Sequence, residues 1–269
     1  MIVFAPAKIN IGLHITAKRD DGFHNLETVF YPIPLYDVIE IMPSDHFELH
    51  EYGICSGCEM HENLCFKAWQ LLNQHYDIPE ISLHILKNIP VQAGLGGGSS
   101  DAAAVLKALN CLFDLKLSSD ALLSYALLLG SDCPFFINAV PVFAQGKGEI
   151  LQPIDLSLNG KTIFLFKPDI GISTKVAFAE VTCFSISNLK HSVKQDIQSW
   201  HNSVRNMFEP DFLKKYPHMQ TIINAMYKSG AVYVSMSGSG STFYAIFEGE
   251  ANIPDRILTD MWIRKIKLP

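Results

Sequence analysis

The run PVQAGLGGGSSDAA, residues 90–103, sets Gly94, Gly96, Gly97 and Gly98 and the hydroxyls of Ser99 and Ser100 ahead of an alanine-rich segment. Glycines let successive backbone N–H groups converge on one anion without a Cβ in the way. Ala102, Ala103, Val105, Leu106 and Leu109 recur at helical spacing. A helix over 100–110 would aim its unpaired N–H groups and positive dipole end at the same ligand. The segment reads as a phosphate cradle or, more plainly, as a flexible turn before a buried helix. It is neither of the two commonest nucleotide loops. No Gly-Lys-Ser/Thr ends it, and residues 87–93 separate the strand expected at 81–86 from Gly94, too many for the tight turn of a dinucleotide fold. Pro90 stiffens the entry.

The whole-chain charge restricts the partners. A net charge of −6 argues against nucleic acid, so any phosphate must be held locally by amides and a few lysines. The first residues, MIVFAPAKINIGL, carry Lys8 and Asn10 inside their apolar run and lack a secretion-signal core. The most apolar stretch, 121–129, is too short to span a bilayer. The expectation is a cytoplasmic protein with no membrane partner. With 269 residues, 48% of them hydrophobic, the chain suits one large or two medium domains. Cys55, Cys58, His61 and Cys65 have a spacing that would suit zinc, but Cys65 falls inside NLCFKAWQLL, whose apolar period is that of a buried helix. Free thiols are expected there, and Cys111, Cys133 and Cys183 are expected as small core residues.

Periodicity predicts strands at 2–4, 9–16, 35–42 and 81–86 and helices at 63–75, 100–110 and 118–129, the last capped by Ser118 and Ser119 and stopped by Gly130. An apolar strand at 162–166 opens a second half. Helices near 175–181 and 219–228 and strands near 231–235 and 242–247 follow, which puts the boundary at 150–160. MSGSGST, 236–242, is either a plain hairpin turn or a second ligand loop.

Three patches in order, PAKINIGL at 6–13, P-x3-GLGGGSS at 90–100 and SGSGST at 237–242, resemble the GHMP small-molecule kinases, and the resemblance runs through nearly the whole chain. It implies a two-domain α+β fold: a ribosomal protein S5 domain 2-like, ATP-binding domain over 1–153, a ferredoxin-like domain over 154–269, and an acceptor in the cleft between them. ATP with Mg²⁺ is the implied phosphoryl donor, and the implied assembly is a monomer or weak homodimer. KRDDGFHNLETVF at 18–30, the triple glycine before Ser99, SDCPFF at 131–136 and GKGE at 146–149 are similar to one branch of the family. That branch phosphorylates a small alcohol carrying a cytidine diphosphate, in non-mevalonate isoprenoid synthesis. Two positions depart from it. Phe23, where Tyr is usual, keeps a stacking face without the hydroxyl; Lys147, where Arg is common, keeps charge without the bidentate fork. A kinase of homoserine, mevalonate or a sugar would share the glycine loops without needing Phe23, His24 and Phe178. A non-catalytic ligand sensor on the same fold would dispense with Lys8 and Asp132.

Phosphoryl transfer to an alcohol needs neutralised phosphate charge, an aligned hydroxyl and a destination for its proton. On the resemblance Asp132 is the base; alone, an Asp before Pro134 reads equally as a turn residue. Lys8 would keep that carboxylate ionised and meet the phosphate, where otherwise it is a surface lysine on an edge strand. Asn10 shares its face of the strand and is matched to the acceptor alcohol. Pro90, Gly94, Leu95, Gly96, Gly97, Gly98 and Ser99 form the implied ATP loop. Ser100 reaches Mg²⁺ or the β-phosphate, or only caps the helix. Asn63, Leu64 and Lys87 match positions around the adenine. Phe23 and Phe178 match rings that sandwich cytosine, His24 matches the reader of its edge, and Phe30 lines the same pocket.

Overall fold

The two N-terminal strands outrun their apolar periodicity. In the computed structural model, β1 is Ile2–Lys18, fusing the strands expected at 2–4 and 9–16, and β2 is His24–Pro43. Lys8 and Asn10 interrupt the apolar pattern, yet both are buried and both are paired, so the strand continues through them. All residues are described except 55, 182–183, 251–252 and 254–258; Cys55 and Cys183 lie outside the described residues. The chain forms two units, each discontinuous: one comprises Met1–Lys8, Pro34–Val91 and Gly96–Val140, the other Ile9–Ile33, Gln92–Leu95 and Pro141–Pro269. A single cut after 153 does not produce this division, because β1 and β2 each give one end to either unit.

The first unit continues with β3 (Glu48–Gly53), α1 (Leu64–Tyr76), β4 (Ile81–Lys87), α2 (Gly97–Leu112), α3 (Ser119–Leu129) and α4 (Cys133–Asn138). β4 pairs parallel with β3 and antiparallel with residues 38–43 of β2. Alternation buries Ile81, Leu83, Ile85 and Lys87 on β4 and Asp37, Ile39 and Ile41 on β2. α1 packs on α2, and both bury small and apolar residues, among them Ala68 and Leu72 on α1 and Ala102, Val105 and Leu109 on α2. Ser118 caps α3 by accepting the Ala121 N–H at 3.2 Å, and Gly130 ends it, as expected. α2 begins three residues before the expected start, since Gly96 at φ 73° is its N-cap.

The second unit adds β5 (Val142–Gln145), β6 (Ile150–Pro153), β7 (Thr162–Pro168), α5 (Thr174–Ala179), α6 (Leu189–Ser192), α7 (Trp200–Ser203), α8 (Glu209–Lys215), α9 (His218–Lys228), β8 (Tyr233–Met236), β9 (Phe243–Phe247) and β10 (Met261–Lys267). β5 pairs with residues 28–30 of β2 and with β6. The last four strands make an antiparallel sheet in the order β10-β7-β9-β8. Numbered along the chain these are the fourth, first, third and second strands, the ferredoxin-like order. Phe164, Phe166, Phe243, Ala245 and Phe247 form a core with Phe212 of α8 and with Met219, Ile222, Ile223 and Met226, one helical face of α9. Cys65 and Cys133 are buried, whereas Cys111, expected in the core, is exposed near the end of α2. Among the described residues no helix is long and apolar enough to cross a membrane.

The SGSGST segment is the connection of the β8–β9 hairpin, and a side chain outside it sets its shape. Asn206, 2% exposed, donates from Nδ2 to the carbonyls of Met236 (2.7 Å) and Gly238 (2.8 Å) and accepts the Phe208 N–H through Oδ1 (2.9 Å). Asn206→Ala strands three buried backbone groups and is expected to cost about 2–4 kcal/mol, since each unsatisfied group costs about 1–3 kcal/mol. Urea unfolding checks this; a loss below about 0.5 kcal/mol, the range of an ordinary surface change, would contradict it.

Candidate active site

Lys8 sits on β1 with its side chain 4% exposed, and its Nζ lies 3.6 Å from Oδ2 of Asp132, which is 34% exposed. Burial lowers the ammonium pKa from its ordinary value, and the Asp132 carboxylate opposes that shift by charge and hydrogen bonding. Asp132 is the N-cap residue of α4, but its side chain makes no cap hydrogen bond. The turn-residue reading therefore leaves its carboxylate unexplained, and the ion pair with Lys8 accounts for it. Lys107 of α2 holds the other end of α4, donating to the carbonyls of Phe136 (3.1 Å) and Ile137 (3.2 Å).

The glycines of the loop have separate reasons. In the first unit a Cβ on Gly96 would stand 2.7 Å from Cζ of Phe136 and 3.2 Å from Cε of Lys8, and its φ is left-handed. A Cβ on Gly97 would stand 3.0 Å from Cγ2 of Ile89, whereas Gly98 faces open space. Its N–H, with those of Gly97 and Ser99, belongs to the first turn of α2, where no helical acceptor exists. Ser99 leans on the Cys133 thiol, and burial pushes that thiol up to about 12. The Ser100 hydroxyl is buried with no partner among the described residues. In the second unit a Cβ on Gly94 would lie 1.9 Å from the carbonyl oxygen of Ser237, and Leu95 is 1% exposed. Gly94 is glycine because another backbone crosses it, not because a ligand does.

The positions matched to the adenine are already engaged. Asn63 caps α1, accepting the Cys65 N–H at 2.9 Å, and donates to Glu51 of β3 at 3.0 Å. Lys87 is buried and donates to Oδ2 of Asp37 and, at 2.5 Å, to Oδ2 of Asp101. The two carboxylates raise the Lys87 pKa despite its burial; burial and the neighbouring Asp37 push Asp101 up to about 8. Of the other matched positions, Leu64 is half-buried and Pro90 buried. Asp37 and Asp101 escaped the sequence reading, although Asp37 is in phase with Ile39 and Ile41.

In the second unit Asn10, 2% exposed, donates from Nδ2 to Thr28 at 3.0 Å, while its backbone donates to Ser237 and accepts from Tyr244. His24 and Phe178 come together, stacked at 5.5 Å and 28°, with Phe184 6.3 Å from the imidazole. Burial, then the charge of Lys18, lower the His24 pKa, which favours the neutral ring. Phe184 was not anticipated; its ring stacks in a segment without periodicity. Phe23 stands apart, 57% exposed with Nζ of Lys147 4.7 Å above its ring, in a loop held by the Arg19–Asp21 fork and by the bond from the Phe23 N–H to Asp21. Phe30, matched to the same pocket, lies on β2 opposite Val142 of β5 and is 2% exposed. Beside α5 a cavity of about 380 Å³ is lined by Ile15, Ile172, Val176, Phe208, Lys215 and Ser239, among others.

Cys58, His61 and Cys65 do not converge: among the described residues no three His, Cys, Asp or Glu side chains are arranged for a metal ion. The family models for the N-terminal domain of GHMP kinases and for their C-terminal domain match residues 63–139 and 185–257. A 4-diphosphocytidyl-2-C-methyl-D-erythritol kinase of Bacteroides thetaiotaomicron is 46% identical over 260 residues, covering 95% of each chain. A crystal structure of 4-(cytidine 5'-diphospho)-2C-methyl-D-erythritol kinase superposes with a TM-score of 0.80 at 30% identity, covering all of both chains. A homoserine kinase from Cytophaga hutchinsonii shares the fold, with a TM-score of 0.62 at 14% identity over 98% of this chain and 95% of its own. By family models over both parts of the chain and by relatives at 30% identity or more over nearly its whole length, the chain belongs to the GHMP kinases, in the branch of the 4-diphosphocytidyl-2-C-methyl-D-erythritol kinases.

Proposed function

We propose that this enzyme transfers the γ-phosphoryl group of ATP to the 2-hydroxyl of 4-diphosphocytidyl-2-C-methyl-D-erythritol. The observation that carries the reading is the Lys8–Asp132 pair, a buried ammonium and an accessible carboxylate, beside the glycine at which α2 begins. Asp132 accepts or orients the proton of the attacking hydroxyl, and Lys8 neutralises charge on the transferring group. The first-turn amides of α2 hold the phosphates, with Gly98 leaving the space they need. Mg²⁺ commonly binds through few protein oxygens together with substrate phosphates. The orphaned Ser100 hydroxyl fits such a role, and the ion would supply charge neutralisation there. Asn10 orients the acceptor alcohol. Phe178 stacks on the cytosine, His24 reads its edge, and Phe23 with Lys147 closes on its outer side. The enzyme acts in the cytoplasm as a monomer or weak homodimer. ATP consumption by the purified protein with the cytidine diphosphate ester, against homoserine and mevalonate, tests the assignment.

Asp132→Asn keeps shape but removes the base, so kcat is expected to fall by about 10²- to 10⁴-fold with both KM values little changed. Lys8→Met also loses rate, and the double variant loses less than the product of the two because the groups act together. Near-normal turnover of Asp132→Asn would return that residue to a turn.

The two loop glycines separate binding from folding. Gly98→Val is expected to fold normally while ATP affinity drops more than tenfold, whereas Gly97→Val collides with Ile89 and lowers the melting temperature. Calorimetry with a thermal melt distinguishes them; unchanged ATP affinity in Gly98→Val removes the loop assignment.

For the acceptor, the uridine analogue is expected to lose at least tenfold in kcat/KM, because a mispaired buried polar group costs about 1–3 kcal/mol. His24→Ala should shrink that discrimination while Phe178→Ala raises KM for both esters alike. Equal use of both esters by the wild type would disprove edge reading.

A further inference from the structure

Lys87 is the last residue of β4, on its buried face, and its ammonium is not available to a ligand. It joins Asp37 of β2 and Asp101 of α2, and these side chains are 5%, 0% and 4% exposed. The other oxygen of Asp37 accepts the N–H groups of Asn88 (2.6 Å) and Ile89 (2.9 Å), the two residues that lead into Pro90. Asp101 lies one helical turn beyond Gly97, whose Cβ position stands against Ile89 and 3.5 Å from Oδ2 of Asp37. One ammonium therefore fixes two things: the entry to the phosphate loop, through Asp37, and the first turn of α2, through Asp101.

We propose that Asp37 and Asp101 are positioning residues for ATP, which act through Lys87 to set the first-turn amides of α2 against the loop entry. The proposal rests on the reading of Gly96–Ser100 as the phosphate loop. A buried cluster of this kind adds little net stability compared with apolar side chains of the same volume, and breaking it by removing one member is costly. Its directional bonds do what apolar packing does not: they fix the rotation and depth of a helix start whose own residues are glycine and serine. Misplacement of donors by a fraction of an ångström weakens a multidentate anion site while leaving the helix formed.

The experiment compares Asp101→Asn, which keeps volume and one oxygen for Lys87, with Asp101→Ala, which removes the tether. Calorimetry gives the Kd for ATP, steady-state kinetics give kcat and both KM values, and all are measured well below each variant's melting temperature. The expected result is graded: Kd and KM for ATP rise about threefold to tenfold in Asp101→Asn and further in Asp101→Ala, with acceptor KM and kcat at saturating ATP within twofold of wild type. Should Asp101→Ala not fold, Asp101→Asn decides alone. A folded Asp101→Asn with wild-type ATP affinity, or one that loses kcat and acceptor binding as much as ATP binding, overturns the proposal. Wild-type protein that binds no ATP in calorimetry would instead remove the loop reading itself, and the positioning role with it.

Discussion

A buried ammonium has to be neutralised, and the first unit buries two, Lys8 and Lys87, each about 5% exposed or less. Their surroundings answer the same requirement differently. Lys87 has two carboxylates, both inside, and its pKa is raised despite burial. Lys8 faces Asp132, 3.6 Å away and one-third exposed, and burial prevails, so its pKa is lowered. Where compensation is complete the lysine is architecture. Where burial still prevails, as at Lys8, an anion brought near would favour the charged form and gain from it. β1, the start of α2 and the N-terminus of α4 are the elements that set this difference, and Lys107 holds the far end of α4 through the Phe136 and Ile137 carbonyls.

The parts of this arrangement that obey a local rule were legible in the sequence. Ser118 and Gly130 bound α3, and the apolar period of α9 gives its buried face. The elements that escaped lack a period of their own. β5 and β6 are four residues each and exist by pairing with each other and β2; α4 is a six-residue segment, CPFFIN, buried almost throughout; β3 reads as polar because most of it stays half-exposed beside β4. The start of α2 lies ahead of its apolar period because glycine and serine score as loop, and the left-handed Gly96 is its N-cap.

The site shows the same division. Motif spacing singles out Lys8 and Asp132, and the fold brings the two within 3.6 Å. Asp37 and Asp101 were not readable, because a buried carboxylate has meaning only once Lys87 is known to point inward. Phe30 illustrates the converse: an aromatic in a strand has the same letter whether it lines a pocket or fills a core, and its burial to 2% exposure is visible only in the fold.

The glycines carry this further. Glycine-rich loops are commonly attributed to ligand approach, yet of Gly94, Gly96, Gly97 and Gly98 only the last faces open space. Gly94 admits the Ser237 carbonyl, Gly96 combines a left-handed φ with Phe136, and Gly97 admits Ile89. Most of the motif is thus a record of where the protein crowds itself. Crowding also fixes the amides at the start of α2, and donors that need no rearrangement at the moment of a reaction are worth more to its transition state than donors that must first be ordered. Tight packing behind Gly96 and Gly97 and open space before Gly98 are two halves of one device, in which backbone held rigid on one side is left bare on the other.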